Sequence, residues 1–310
     1  MEVSGIERTG HDGIRLPVIK DVEDAISLIL GEIRLTWRFT YYNLSASTIP
    51  GVLFTVVAFY VSDRPLVHFP FVLLQSIVYF TLYIYIFDTL NQLQGIEEDR
   101  LNKPHRPLVA GLVTREGVWV RFAIGSLLYT TIAWIFGVVG WAIAWQAMAM
   151  FLNFGASKHW FWKNSMIAAG GFVMIGAAWQ MVQPITPLLL VYAGLVTAPI
   201  CLIISLQDLR DVEGDRRVGR RTFPVVFGDT FTRWEIAISQ ALYPPLVIGV
   251  LWATIGLTPA VLATFAVSLV ASAIVAVRVL LYRNPRADHI TYMCFTYWYC
   301  FVLAAGAFIL

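Results

Sequence analysis

Cysteine is scarce in this chain of 310 residues: Cys201, Cys294 and Cys300 are the only three. All lie in apolar segments with no CxxC pair and no Cys/His spacing, which leaves them as packing residues rather than a disulfide framework or a zinc site. Charge is scarce as well. Asp, Glu, Lys and Arg make up 14% and hydrophobic residues 58%, against about a quarter charged in an ordinary soluble domain. A formal net charge of +2 gives no basic excess with which to hold a nucleic acid. No long polar interval between Gly51 and Leu310 marks a second domain. The opening residues MEVSGIERTGHDGIRLPVIK lack the apolar stretch of a cleaved signal, so insertion is expected to use the first membrane helix.

What fills the chain is apolar runs of membrane-crossing length, roughly 20 residues each. Nine such segments are expected, near 40–61, 69–93, 118–139, 141–156, 165–183, 187–206, 234–254, 258–282 and 290–310, the fourth of them short. Ahead of them, Asp21 to Leu35 has helical periodicity and is expected to lie at the membrane interface, with Arg34 and Arg38 near the head groups. The expected division is a polar N-terminal segment with this helix over 1–35 and one transmembrane domain over 36–310. The protein is thus expected to be an all-α integral membrane protein with the lipid bilayer as its medium. No obligatory protein partner is implied.

Basic residues test the count, because loops facing the cytosol carry the excess of Lys and Arg. With nine helices and a cytosolic N-terminus, the inner segments hold the clusters around Arg100 to Arg121, Lys158 and Lys163, Arg210 to Arg233, and Arg278 to Arg286. The outer loops hold only Arg64. Two acid-rich stretches then fall on the cytosolic side.

In the first, Asn91, Gly95 and Asp99 stand at i, i+4 and i+8 of a helix, with Asp88 one turn deeper and Glu98 beside the stripe. In the second, Asp208, Asp211 and Asp215 stand at i, i+3 and i+7. Like charges at this spacing repel, and carboxylates near membrane depth are costly, so a neutralising cation is expected. Oxygen-only ligands favour Mg²⁺, which keeps several waters and bridges carboxylates to phosphates. The plain alternative is that these acids are solvated and pair with the surrounding arginines. Asp88 has two readings, a buried hydrogen-bonded group steadying its helix or a group lining the active cavity.

The residues NQLQGIEEDRLNKPHRPL (91–108) and DLRDVEGDRRVGRRTFPVVFGD (208–229) resemble the two motifs of the UbiA superfamily of intramembrane prenyltransferases and related terpene cyclases. The second matches DxxDxxxD in full. The first departs from the common NDxxDxxxD, since Gln92 and Gly95 occupy positions where Asp is usual. The resemblance implies nine transmembrane helices around a central cavity, with Asp-rich helix ends on the cytosolic side. It also implies two Mg²⁺ ions holding an isoprenyl diphosphate between the motifs.

An allylic diphosphate ionises when its departing group is neutralised, which calls for metals and basic side chains. The diphosphate-binding candidates are Arg38, Arg100, Lys158, Lys163 and Arg221, with Asn164 as a neutral donor. Aromatic faces can stabilise a carbocation in the apolar interior, where Tyr42, Trp179, Tyr192, Tyr292 and Trp298 are available. Gly95 in place of a carboxylate brings the first motif nearer to the UbiA-type membrane-bound terpene cyclases and leaves space for a folded chain. Gln92 is similar to the NQ variant of plant-type homogentisate prenyltransferases, so transfer to an aromatic or other acceptor is the alternative. A third reading, an ion-coupled transporter, fits poorly, because the acids cluster at helix ends rather than near the midplane.

Overall fold

A computed structural model of the chain describes residues 22–310; segment 1–21 lies outside them, including Asp21 of the expected interfacial helix. Among the described residues there is no β-strand, only α-helices, short 3₁₀ turns and one isolated bridge between His159 and Arg221. The first seven helices are α1 (Val22–Thr40), α2 (Thr48–Tyr60), α3 (Phe69–Gln94), α4 (Ile96–Asn102), α5 (Arg115–Ile135), α6 (Val139–Asn153) and α7 (Trp160–Gln180). The rest are α8 (Pro187–Thr197), α9 (Ile200–Ile203), α10 (Val212–Arg217), α11 (Phe223–Phe227), α12 (Asp229–Ile255), α13 (Pro259–Leu281) and α14 (Pro285–Ala305).

The starts of these helices are written locally. Thr186, Thr258 and Asn284 each precede a proline that occupies the first helical position, and each side chain accepts the backbone N–H three residues on, at 3.1, 3.2 and 2.9 Å. The proline's missing N–H costs nothing there, and the capping oxygen satisfies a donor that the helix leaves unpaired. Breaks are local too. Pro199 has no N–H to donate and interrupts the ladder between α8 and α9, while Pro244 and Pro245 interrupt the interior of α12.

All nine apolar segments coincide with helix. By length and composition, six stretches are able to cross a membrane, or seven if α1, α2 and the 3₁₀ turn between them are one span bent by 59°. The remaining two fall short for physical reasons: α6 has only 15 residues, and Lys163, Asn164 and Gln180 dilute the hydropathy of α7.

Helix α3 packs against α2, α5 and α6, while α7 packs against α2, α6, α8 and α9. The core between them is strongly aromatic, with Phe54, Tyr79, Phe80, Tyr129 and Tyr192 fully buried. The exterior is apolar as well. Leu127, Trp134, Leu242, Leu246 and Val270 are all exposed, an outward face suited to lipid rather than water. Helix α1 exposes Ile26, Ile29, Leu30, Ile33 and Trp37, an apolar stripe at helical spacing.

Candidate active site

The first acid-rich stretch does not continue as one straight helix. Gly95 ends α3 with φ −100° and ψ 21°, well away from helical values, and α4 starts on a rotated frame. Beyond that break Glu98 faces the central cavity, whereas Asp99 is buried behind it. Arg106 Nη1 donates to both Asp99 oxygens at 2.8 Å. Burial nevertheless pushes the Asp99 carboxyl above its ordinary range. Gln92 is buried and accepts the Leu108 N–H at 3.4 Å, tying the motif's start to its tail.

The second stretch runs from a 3₁₀ segment (Ile204–Asp208) through a turn into α10, and Asp208, Asp211 and Asp215 all line the cavity. The two stretches meet at Gly214. A Cβ there would lie 2.1 Å from Asn102 Oδ1, so with the Asn102 side chain in this position α10 can approach α4 this closely at Gly214 without displacing it. Further on, Gly219 adopts φ +72°, a left-handed turn that swings Arg220 back toward the acids. Arg220 pairs with Glu98, lies 3.1 Å from Asp215 and donates to the Ser157 carbonyl at 3.2 Å.

The result is a chain of alternating charge, Asp215–Arg220–Glu98–Lys103–Asp211–Arg210, beside a separate Lys163–Asp208 pair. Lys163 pairs with Asp208; Lys103 lies 3.8 Å from Glu98 and 3.9 Å from Asp211; Arg210 lies 3.6 Å from Asp211. Thr222 donates to Asp215 at 3.0 Å. Burial raises the Asp215 carboxyl to about 6, although Arg220 and Lys163 oppose the shift. Burial also works to raise Glu98, but Arg220, Lys103 and Lys163 outweigh it and hold its carboxyl below the ordinary range.

These charged groups line one end of a cavity of about 410 Å³. The other end is apolar, with Phe87, Trp145, Met174, Phe295 and Tyr299 in its wall. Tyr83 and Trp145 stack there with centroids 3.9 Å apart, and Gly170 and Gly171 leave that level of α7 without side chains. Trp145 fits against Gly170, where a Cβ would come within 2.6 Å of its ring.

Among the residues singled out from sequence, Asn91, Asp208, Asp211, Asp215, Lys163, Tyr42 and Tyr292 come together around this cavity. Others do not. Asp99 is held by Arg106, and the helical stripe that placed it beside Asn91 ends at the Gly95 break. Gly95 does not line the cavity; its Cβ would meet the Asn91 carbonyl at 3.0 Å, so a helix turn, not substrate space, is what it borders. Asp88 is buried outside the lining and accepts from Asn43 at 2.5 Å, the structural of its two readings. Asn164 is buried, donating to Ser205 at 2.8 Å.

Arg38, Arg100, Lys158 and Arg221 are exposed and away from the lining. Arg100 pairs with Glu97 at 2.8 Å, and the backbones of Lys158 and Arg221 bond to each other at 2.8 Å. Trp179, Tyr192 and Trp298 are core residues whose polar atoms bond to the Pro184 carbonyl, the Val302 carbonyl and Ser268. Sequence reasoning missed Lys103, Arg106, Arg210 and Arg220 as cavity residues. The first two stand in the NKPHRP tail and the last in RRVGRRT, so charge within the motifs was the available signal.

The donor set suits a hard divalent cation bound jointly with a phosphate. Asn91, Glu98, Asp208, Asp211 and Asp215 offer oxygen only, and Asp208 Oδ2 is buried without a partner. Among the described residues no three His, Cys, Asp or Glu side chains are grouped closely enough to hold a metal by themselves. Water and substrate oxygens would complete the shell, as Mg²⁺ ordinarily requires.

Comparison with known proteins matches this architecture. The chain is 34% identical over 280 residues to the somaliensene A/B synthase of Streptomyces somaliensis, covering 90% of this chain and 94% of that protein. Two Hericium erinaceus proteins are equally similar at 34%: the diterpene cyclase eriG over 89% of this chain and 88% of its own length, and the polyprenyl transferase eriF over 88% and 93%. A solved UbiA homologue from Archaeoglobus fulgidus, bound to DMAPP and Mg²⁺, shares the fold with a TM-score of 0.64 at 14% identity, over 87% of this chain and 98% of that one. The model of the UbiA prenyltransferase family matches residues 51–307, which include both acid-rich stretches and every helix from α3 to α14, and the chain therefore belongs to that family.

Proposed function

We propose that the protein is a membrane-bound, Mg²⁺-dependent terpene cyclase. It ionises a C15 or C20 isoprenyl diphosphate and captures the carbocation within the same molecule, releasing diphosphate. The observation that carries this reading is the division of one cavity into a cluster of acids and bases at one end and an aromatic, apolar chamber at the other. A prenyl diphosphate has the same two halves.

Asn91, Glu98, Asp208, Asp211 and Asp215 would hold Mg²⁺, which when bound supplies charge neutralisation for the departing diphosphate. Lys103, Lys163, Arg210 and Arg220 donate to phosphate oxygens and stabilise the negative charge that grows as the C–O bond breaks. The stacked Tyr83 and Trp145, with Phe87 and Phe295, present ring faces to the cation and exclude water from it. Asp99 acts through Arg106 by fixing its guanidinium at the cavity wall. Nine membrane crossings, with the charged end facing the cytosol, fit the distribution of Lys and Arg along the chain.

Transfer of the prenyl group to an acceptor is the second reading, favoured by the equal similarity to a polyprenyl transferase. Purified protein given Mg²⁺ and a C15 or C20 diphosphate, with no acceptor, is expected to yield a cyclic hydrocarbon or alcohol by gas chromatography and mass spectrometry. Product formed only after an aromatic acceptor is added would replace cyclisation with transfer.

A further inference from the structure

Three cavity-lining side chains carry a buried polar atom that has no hydrogen-bond partner: Asn102 Nδ2, Asp208 Oδ2 and Tyr299 Oη. The first two belong to the charged end, where a cation and phosphate oxygens would satisfy them. Tyr299 does not. It stands on α14 in the apolar chamber, only 6% exposed, and a Cβ on Gly171 would lie 3.5 Å from its hydroxyl.

The neighbouring polar groups of the chamber are already engaged. Tyr83 donates to the Gly170 carbonyl at 3.0 Å, Trp145 Nε1 to the Tyr83 carbonyl at 2.8 Å, and Thr296 to the Met293 carbonyl at 2.8 Å. A buried hydroxyl without a partner costs stability that apolar packing alone would avoid, since phenylalanine would fill the same space. Unlike the unpartnered hydroxyls of Tyr79, Tyr129 and Tyr243, that of Tyr299 belongs to a residue lining this cavity, where a partner can arrive with the substrate.

We propose that the Tyr299 hydroxyl is a product-determining contact, its oxygen lone pairs meeting positive charge on the folded prenyl cation at the glycine level of α7. This rests on the cyclase reading above. The dipole favours those cation isomers whose charge lies nearest the oxygen, so it biases which ring system is carried forward to quenching. The tyrosine exchanges no atom with the substrate. Ionisation takes place at the other end of the cavity and does not involve it.

The test is Tyr299→Phe, with Tyr243→Phe as the control. Tyr243 also has a buried, unpartnered hydroxyl, but it lies on α12 outside the cavity. Diphosphate release, KM and the product profile are measured for both with Mg²⁺ and the accepted diphosphate. Tyr299→Phe is expected to shift the ratio of cyclic products by about tenfold, the scale of a hydrogen bond to a charged group, a larger change than any in diphosphate release. Tyr243→Phe should leave the profile unchanged. A Tyr299→Phe profile identical to wild type, or an equal shift in Tyr243→Phe, overturns the assignment while leaving the cyclase reading intact. A wild type that makes no cyclic product overturns both.

Discussion

Gly214→Ala tests whether the two acid-rich stretches work as one site. The added Cβ would sit 2.1 Å from Asn102 Oδ1, 2.5 Å from Nδ2 and 2.6 Å from Cγ, where ordinary contact begins near 3.4 Å. Two responses are open to the structure. Asn102 turns into the cavity mouth, or α10 withdraws from α4 and carries Asp211 and Asp215 away from Lys103 and Glu98. Overpacking of this kind costs about 1–3 kcal/mol. Because the strain falls between the halves of the site, KM for the diphosphate should rise by about tenfold, the equivalent of 1.4 kcal/mol. Thermal unfolding and Mg²⁺-dependent diphosphate release over a range of substrate concentrations measure both effects. Asn102→Ala removes the three clashing atoms and so should restore function more in the Gly214→Ala background than it changes wild type, with a coupling of about 0.5–3 kcal/mol. Wild-type stability and KM in Gly214→Ala would refute the argument, as would strict additivity in the double variant.

Asp211→Ala should abolish turnover, by at least about a hundredfold, while the protein folds normally, since a metal-held charge is worth several kcal/mol at the reacting group; detergent-stable protein with near-normal product would contradict its role. Chelation with EDTA should stop diphosphate release and added Mg²⁺ should restore it. Arg220→Gln should lower activity by about tenfold or more, the loss of one charge-assisted hydrogen bond, whereas Arg221→Gln at its exposed position should leave kinetics unchanged; the reverse order would undo the placement made by the Gly219 turn. Glu98→Gln should raise the Mg²⁺ concentration needed for half-maximal diphosphate release, whereas Asp99→Asn should leave that concentration unchanged and destabilise by up to about 3–5 kcal/mol, because it breaks the buried pair with Arg106; equal metal effects from both would return Asp99 to the ligand set.

The sequence by itself determined the class of the molecule, because membrane helices follow from local composition. Nine apolar segments were readable and all nine are helical, and the Thr-Pro and Asn-Pro starts were written in adjacent residues. Both acid-rich stretches were legible from spacing, and all three aspartates of the second line the cavity. Side-chain direction beyond a break was not legible. One dihedral change at Gly95 turns Glu98 inward and Asp99 onto Arg106, and one left-handed residue at Gly219 selects Arg220 over Arg221. Neither follows from a 3.6-residue period, which holds only while the helix is unbroken. The aromatics show the same limit. Trp179, Tyr192 and Trp298 resemble Tyr83, Trp145 and Tyr299 in composition and depth, and only the packing of α7, with Gly170 and Gly171 at one level, decides which of them border a cavity and which fill the core.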